Sequence, residues 1–336
     1  MTRVPAASVA ARLLRWYDAH HRDLPWRRTR DPYRIWVSEI MLQQTRAEAV
    51  IPYYQRFLER FPDISALAAA AVEEVLAIWS GLGYYTRARN LHKSARLMDG
   101  VFPVEYQTIR ELPGVGDYTA AAISSIAFDL PHAVLDGNVV RVVARMTNDA
   151  GDIRVSATRQ RFREIAQHWL DSRRAGAFNQ AMMELGATVC LPRMPRCEIC
   201  PLAALCHGRR ARRASQLPVK TRRTAPVKIA MTAAIIERRG RLLLWQRDVD
   251  ARRLAGFWEL PTPEQLPGFT GIREIGAFRH TITHHHYEVA VLTGRLGPRV
   301  RAALPLQWIP ISRLGALPLS TTARKALRLA GIPPDV

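Results

Sequence analysis

Lysine is almost absent from this 336-residue chain: Lys93, Lys220, Lys228 and Lys325 are the only four, so arginine carries nearly all the positive charge. Acidic residues are also few, 29 against 49 Lys plus Arg, and the formal net charge is +20. A chain this basic suits a polyanionic partner, and the planar guanidinium suits bidentate phosphate contacts, although heavy arginine use can equally reflect a GC-rich genome. Long apolar runs are missing; none approaches the roughly 20 residues that span a bilayer, so no membrane association is expected. The stretch Val4–Leu14 is interrupted by Arg12 and followed by Arg15 and Asp18, which does not read as a secretory signal. The expected compartment is therefore the reducing cytoplasm, where disulfides are excluded and clustered cysteines bind metal. There is no internal repeat.

Hydrophobic residues make up 48% of the chain, enough for real cores, and the length implies two domains. The first 205 or so residues carry helical patterns. Ala47, Val50, Ile51, Tyr54, Phe57, Leu58 and Phe61 fall on one face; Ser65–Ile78 and Ala120–Phe128 are Ala-rich; Val139, Val140, Val143 and Met146 form another apolar face. The Arg-rich stretch 208–227, with Pro218 and Pro226, reads as a linker, or alternatively as an ordered basic strap. Beyond it, Ile229–Ile236, Leu242–Trp245 and His286–Leu292 read as strands, with a turn over Arg238–Arg241 and a final helix over Thr321–Leu329 capped by Ser320. The expected division is a helical domain over 1–207 and a smaller α+β domain over 228–336.

The few cysteines are tightly grouped. Cys190, Cys197, Cys200 and Cys206 follow the spacing C-x6-C-x2-C-x5-C. Loops this short wrap four thiolates around one compact centre. Structural zinc usually takes two separated C-x2-C knuckles and only one is present, so the spacing favours a [4Fe–4S] cluster, with zinc or simple buried thiols as the other readings.

Glu111-Leu-Pro-Gly-Val-Gly-Asp-Tyr-Thr119 precedes a helix. Gly114 and Gly116 around Val115 permit a tight turn whose backbone N–H groups, with the dipole of the following helix, can hold a DNA phosphate. An ordinary helix–helix turn is the plainer reading. Two carboxylates also stand out. Glu39 follows Ser38 at what reads as a helix start, and Asp136 sits before a helix that Asn138 can cap. Alone, each is as consistent with dipole complementation or an Asp-Gly turn.

Together, Leu-Pro-Trp-Arg (24–27), Trp-Val-Ser-Glu-Ile-Met-Leu-Gln-Gln-Thr (36–45), Gly-Leu-Gly-Tyr-Tyr (81–85), the 112–116 hairpin, Asp136, Asn179-Gln-Ala-Met-Met-Glu184 and the cysteine spacing resemble the helix-hairpin-helix DNA glycosylases, most of all the adenine glycosylases. The resemblance covers nearly the whole chain. It implies a six-helix barrel over about 28–132 and a cluster-bearing lobe from the N-terminal helix and about 133–207, with double-stranded DNA bound by a monomer. It implies hydrolytic removal of adenine opposite 8-oxoguanine or guanine. In it, Glu39 matches the general acid and Asp136 the carboxylate facing the sugar, with Asn138 beside it. Tyr118 stands where strand-cutting relatives carry a Schiff-base lysine, which implies a monofunctional enzyme. Trp26, Arg27 and Glu184 match the adenine pocket, while Gln44, Thr45, Leu82 and Tyr84 match residues that engage the duplex around the mispair.

The C-terminal part resembles a Nudix-fold lesion-reading domain through Gly256-Phe-Trp-Glu-Leu-Pro261 and Phe278-Arg-His-Thr-Ile-Thr-His284, without the metal-binding R-E-x-x-E-E box. Thr283 and His284 match its 8-oxoguanine-reading loop, where Ile282 replaces the usual phenylalanine. Two rivals remain at this point: a thymine or oxidised-pyrimidine glycosylase on the same scaffold, and a non-catalytic iron–sulfur protein that only binds DNA.

Overall fold

The computed structural model describes residues 4–221, 227–248, 250–251, 254–282, 285–297 and 306–334. The chain divides into two units, Met1–Ala68 with Lys93–Arg222, and Ala69–His92 with Arg223–Val336. Residues 69–92, which the sequence groups with the helical domain, thus fall with the C-terminal part.

The first unit is helical. Helices α1 (Ala6–His20), α2 (Pro32–Leu42), α3 (Ala47–Arg60) and α4 (Ile64–Ala69) open the chain, whereas α5 (Val72–Trp79) and the first half of α6 (Thr86–Met98) are the helical segment grouped with the second unit. The Ala-rich stretch read as one helix is thus two. Then come α7 (Tyr106–Glu111), α8 (Asp117–Phe128), α9 (Gly137–Thr147), α10 (Ser156–Trp169), α11 (Ala175–Thr188) and the short α12 (His207–Arg210).

Helix α8 is the axis. Every residue from Thr119 to Ile126 is buried, the mark of a helix surrounded by others, and α2, α7 and α11 pack on it. The contact with α11 is close because Gly176 has no side chain: a Cβ there would lie 2.5 Å from the Ser125 carbonyl oxygen. Asn179, one turn on, donates to Ser125 Oγ (2.8 Å) and to the His132 carbonyl (2.8 Å), and accepts from Val134 N (3.2 Å). One side chain therefore ties the segment leading to Asp136 onto the central helices. Sequence reading assigned Asn179 to a motif without this role.

Residues 208–221 are not a free linker. Gly208 approaches the backbone of Arg145, whose guanidinium donates to the Leu217 carbonyl (3.0 Å), and Ile153 N donates to the Val219 carbonyl (3.1 Å). The segment is an ordered strap on the first unit. Its bonds use backbone carbonyls, which composition does not reveal.

In the second unit, β1 (Val227–Ile235), β2 (Glu237–Arg238), β3 (Arg241–Gln246), β4 (Trp258–Glu259), β5 (Phe269–Ile282), β6 (His285–Leu296) and β7 (Leu306–Pro310) form two sheets among the described residues. One has the order β1-β6-β5, with β1 parallel and β5 antiparallel to β6; in the other, β3 pairs with β2, β4 and β7. Helix α13 (Thr321–Leu329) covers a core that includes Leu242, Leu244, Trp258, Val291 and Leu319, and Ser320 caps it through Ala323 N at 3.1 Å. Strand β5 was not legible in the sequence. Register shifts at Thr270/Arg273 and Glu274/Gly276 break its alternation.

Candidate active site

A cavity of ≈ 410 Å³ in the first unit, within the usual range for a small-molecule pocket, gathers Glu39, Tyr118, Asp136 and Asn138 with Trp26, Arg27, Thr45 and Glu184. The sequence proposed all eight, from five separate segments. Arg22 and Met183 also line it and were missed.

Glu39 does not start a helix. Helix α2 begins at Pro32, capped by the Asp31 carboxylate, which accepts from Tyr33 N (2.9 Å), so Glu39 lies near the opposite end. The favourable dipole that depresses a first-turn carboxyl is therefore absent. Glu39 is 4% exposed. Burial pushes its carboxyl up to about 7; the hydroxyl of Tyr118, donating to Oε2 at 2.8 Å, works against that rise, and Asp136 adds to it. Tyr118 itself is held well above the ordinary tyrosine range by burial and by both carboxylates.

Asp136 is the cap of α9. Its Oδ1 accepts from Val139 N at 2.7 Å, and its Oδ2 accepts from Asn138 Nδ2 at 2.9 Å. Sequence reading placed the cap at Asn138; the structure places it at Asp136, because the helix starts at Gly137 and Asn138 already lies within its first turn. Burial raises the Asp136 carboxyl, and the two N–H donors oppose the rise by solvating its charge. Asn138 is held in turn: Arg141 Nη2 donates to its Oδ1 (2.7 Å) and to the Gly186 carbonyl (2.7 Å), and Arg141 Nε donates to the Cys190 carbonyl (2.7 Å).

Glu184 has no exposed side-chain surface and meets two guanidinium groups, Arg27 Nη2 at 2.7 Å and Arg22 Nε at 2.8 Å. Burial raises its carboxyl, but the bonds from Arg22 and Arg27 outweigh burial and bring it to about 2. Glu184 is therefore charged where Glu39 is poised to be neutral, and the cavity offers a fixed acceptor and a donor at one end. Trp26 forms the wall there, edge-on to Tyr54 at 5.5 Å.

The four cysteines line one pocket with Arg145, Leu185 and Leu202. Among the described residues, no three His, Cys, Asp or Glu side chains converge on a point that could hold a single metal ion. Burial pushes the Cys200 thiol up to about 12 and also raises Cys197 and Cys206. Arg145 is 1% exposed and donates to Cys190 Sγ (3.2 Å) and to the carbonyls of Leu191 (2.7 Å), Pro192 (2.8 Å) and Leu217. None of these partners is a carboxylate. A buried guanidinium without a counter-charge is costly, and a thiolate-bound group would supply one.

The hairpin between α7 and α8 turns at Gly114, whose φ of +79° a glycine adopts without strain. Val115 N closes the turn on the Leu112 carbonyl at 3.0 Å, so this amide is spent within the chain. Gly116 is the cap of α8.

The remaining duplex-facing candidates have unusual backbones. Gln44 is exposed with φ +59°, and Tyr84 is 43% exposed with φ +49°, whereas Leu82 is buried at 8%. Within the second unit, Trp79 Nε1 donates to the Gly83 carbonyl (3.2 Å), and Arg87 Nη2 to the carbonyls of Leu82 (3.3 Å) and Gly83 (3.2 Å). Thr283 and His284 lie outside the described residues.

Residues 37–168 match the HhH-GPD superfamily base excision DNA repair proteins. The chain is 33% identical over 395 residues to the adenine DNA glycosylase of Mus musculus, covering 94% of this chain and 76% of that one. It is 47% identical over 209 residues to the adenine DNA glycosylase of Rattus norvegicus, covering 58% of this chain but only 40% of the rat protein's length. A solved thermostable thymine-DNA glycosylase superposes with a TM-score of 0.56 at 29% identity, over 61% of this chain and 97% of its own.

Proposed function

The chain belongs to the adenine DNA glycosylases, DNA-binding enzymes of base excision repair, and from that premise we propose how its residues release the base. The substrate is a deoxyadenosine flipped out of a duplex, since the sugar carbon cannot be reached inside the stack. Trp26, Arg27 and Glu184 hold the base. Glu39, neutral below about pH 7, gives its proton to the base nitrogen and makes it a leaving group. The C1′–N9 bond breaks with its electron pair going to the base, and Asp136, solvated by Val139 N and Asn138, stabilises the positive sugar until water adds at C1′ and its released proton restores Glu39. Asn138 acts by orienting Asp136. Tyr118 has no amine for a Schiff base, so the strand stays intact and the enzyme is monofunctional. The observation that carries this reading is the buried Glu39, bonded to Tyr118 and sharing one cavity with Asp136.

The duplex is held at the Gly114 and Gly116 amides and the start of α8, and engaged beside the mispair by Gln44, Thr45, Leu82 and Tyr84. The base opposite adenine is 8-oxoguanine or guanine, read by the C-terminal unit through Thr283 and His284, and one chain suffices for the reaction. Cys190, Cys197, Cys200 and Cys206 hold a [4Fe–4S] cluster. The buried Arg145, which lacks a carboxylate partner, and the pocket that all four thiols share suit an anionic thiolate-bound group, which would supply a structural anchor for residues 190–217.

The experiment compares duplexes holding A opposite 8-oxoguanine, A opposite G and T opposite G. Abasic sites should form in the first two, with breaks only after alkali. Release of thymine, or borohydride trapping of a covalent complex in high yield, would overturn the reading.

A further inference from the structure

Two motifs that look unrelated in the sequence meet within the second unit. One is the Gly81–Tyr85 loop; the other is the Gly256–Pro261 segment. Tyr85 is buried, and its ring lies 4.0 Å from that of Phe257, which has no exposed surface. The Tyr85 hydroxyl donates to the Leu319 carbonyl at 3.5 Å. Arg89, one turn into α6, donates through Nη2 to the Ala255 carbonyl. Gly256 shapes the turn beside it, with a φ of +70° that a glycine adopts without strain. Phe257 is anchored from behind, since Trp258 N donates to the Pro318 carbonyl (3.0 Å) and Ser320 N to the Trp258 carbonyl (3.2 Å).

The loop needs such a foundation. It contains Gly81 at φ +105°, Gly83 at φ +72° and Tyr84 in the left-handed region, a conformation that a tyrosine holds only when its surroundings impose it. Trp79 and Arg87 hold the carbonyls of the loop, and the C-terminal residues hold its far stem. The outcome is an exposed Tyr84 directly beside a buried Tyr85.

We propose that Phe257 and Arg89 are positioning residues: through Tyr85 they seat the 81–85 loop on the C-terminal domain so that Tyr84 is presented to the mispaired duplex. The inference rests on the reading of this loop as a duplex-engaging element, and it gives the Gly256–Pro261 motif a task other than lesion contact. The C-terminal domain thereby supports mispair engagement even where it touches no base.

The test uses the full-length protein with Phe257→Ala, Arg89→Ala, Tyr84→Ala and the two double variants that include Tyr84→Ala. Each is titrated against a duplex with adenine opposite 8-oxoguanine and against a fully paired duplex. Single-turnover rates at saturation are measured too, and 2-aminopurine beside the mispair reports base unstacking. Phe257→Ala and Arg89→Ala should each raise the half-saturating concentration for the mispair about tenfold and weaken the unstacking signal, while the double variants lose no more than Tyr84→Ala alone. For Phe257→Ala and Arg89→Ala, affinity for paired DNA and the saturated rate should stay within about twofold, because Glu39 and Asp136 belong to the other unit. Additive losses, or wild-type half-saturation in both single variants, would overturn the proposal. If Phe257→Ala fails to fold, Arg89→Ala decides alone. A wild type that binds the mispair selectively but releases no adenine would refute the enzymatic reading and leave this test standing.

Discussion

In the proposed mechanism Glu39 must carry a proton at the pH where repair takes place, and its surroundings arrange this chiefly by burial, with the negative charge of Asp136 adding to the effect and Tyr118 and Arg27 opposing it. The sign of the pH dependence follows. The acid is fully protonated well below about 7 and loses its proton as the pH rises through that value, so the saturated single-turnover rate should fall on the alkaline side. Tyr118 holds that value down by bonding the charged form. Tyr118→Phe should therefore shift the falling limb to higher pH; a shift to lower pH, read from the rate profile, would contradict the assigned bond. Glu39→Gln and Asp136→Asn should each abolish base release while leaving mispair binding largely intact. The second substitution is informative because asparagine caps a helix about as well as aspartate, so the fold of α9 survives and only the charge is lost. Near wild-type rates for either variant in a single-turnover assay would remove these residues from the mechanism.

Helices bring these residues together, and here the sequence was legible only in part. The motif around Glu39 was visible, but its place in α2 was not. Asp31 with Pro32 is the true start signal, and the Ser38-Glu39 pair mimics one. Glu184 was placed in the pocket by resemblance, yet its second partner Arg22 lies in a loop with no local pattern to betray it. Arg145 was invisible for a similar reason: its partners are backbone carbonyls that only folding assembles. Close approach of helices is equally hidden. Gly186 of α11 faces the start of α9, and a Cβ there would fall 2.5 Å from Asn138 Cβ and 3.0 Å from its Cα. Alanine is the better helix former, so propensity alone expects Gly186→Ala to stabilise by about 1 kcal/mol. The contact decides otherwise, since overpacking costs about 1–3 kcal/mol and the displaced residue is the one that orients Asp136. Gly186→Ala should lower both the melting temperature and the saturated rate; a thermal melt showing stabilisation at full activity would show that α9 can give way. In the cysteine segment, the purified protein should carry about four iron and four sulfide per chain, and stoichiometric zinc without iron after anaerobic purification would rule the cluster out.

At the scale of the whole molecule, charge and division of labour decide behaviour. The net charge of +20 should make duplex binding strongly salt-dependent, with affinity falling on the order of a hundredfold between roughly 50 and 200 mM salt if about four phosphates are neutralised. In the proposed reading, the chemistry falls to the first unit, and the second unit takes on part of the engagement of the mispair. Glu39, Tyr118, Asp136 and Glu184 all belong to the first unit, whereas the Gly81–Tyr85 loop is grouped with the C-terminal strands. A chain ending near residue 225 therefore keeps every group that acts on the adenine. It loses Thr283 and His284, the residues matched to 8-oxoguanine contact, and also Phe257 and Leu319, on which Tyr85 rests. Two separable losses should follow. Removing a pair of hydrogen bonds to the lesion, about 1–3 kcal/mol, should reduce the selectivity for 8-oxoguanine over guanine by about tenfold to a hundredfold. Loss of the loop's foundation should weaken both mispairs together, beyond that change in ratio. The measurement is single-turnover cleavage of the two mispairs by the full chain, the truncated chain and the Thr283→Ala, His284→Ala double variant. The double variant should change the ratio alone, while the truncation should change both ratio and affinity. A truncation with unchanged selectivity would deny the C-terminal domain any part in reading the lesion, and a changed ratio in the truncation but not in the double variant would move that reading away from Thr283 and His284.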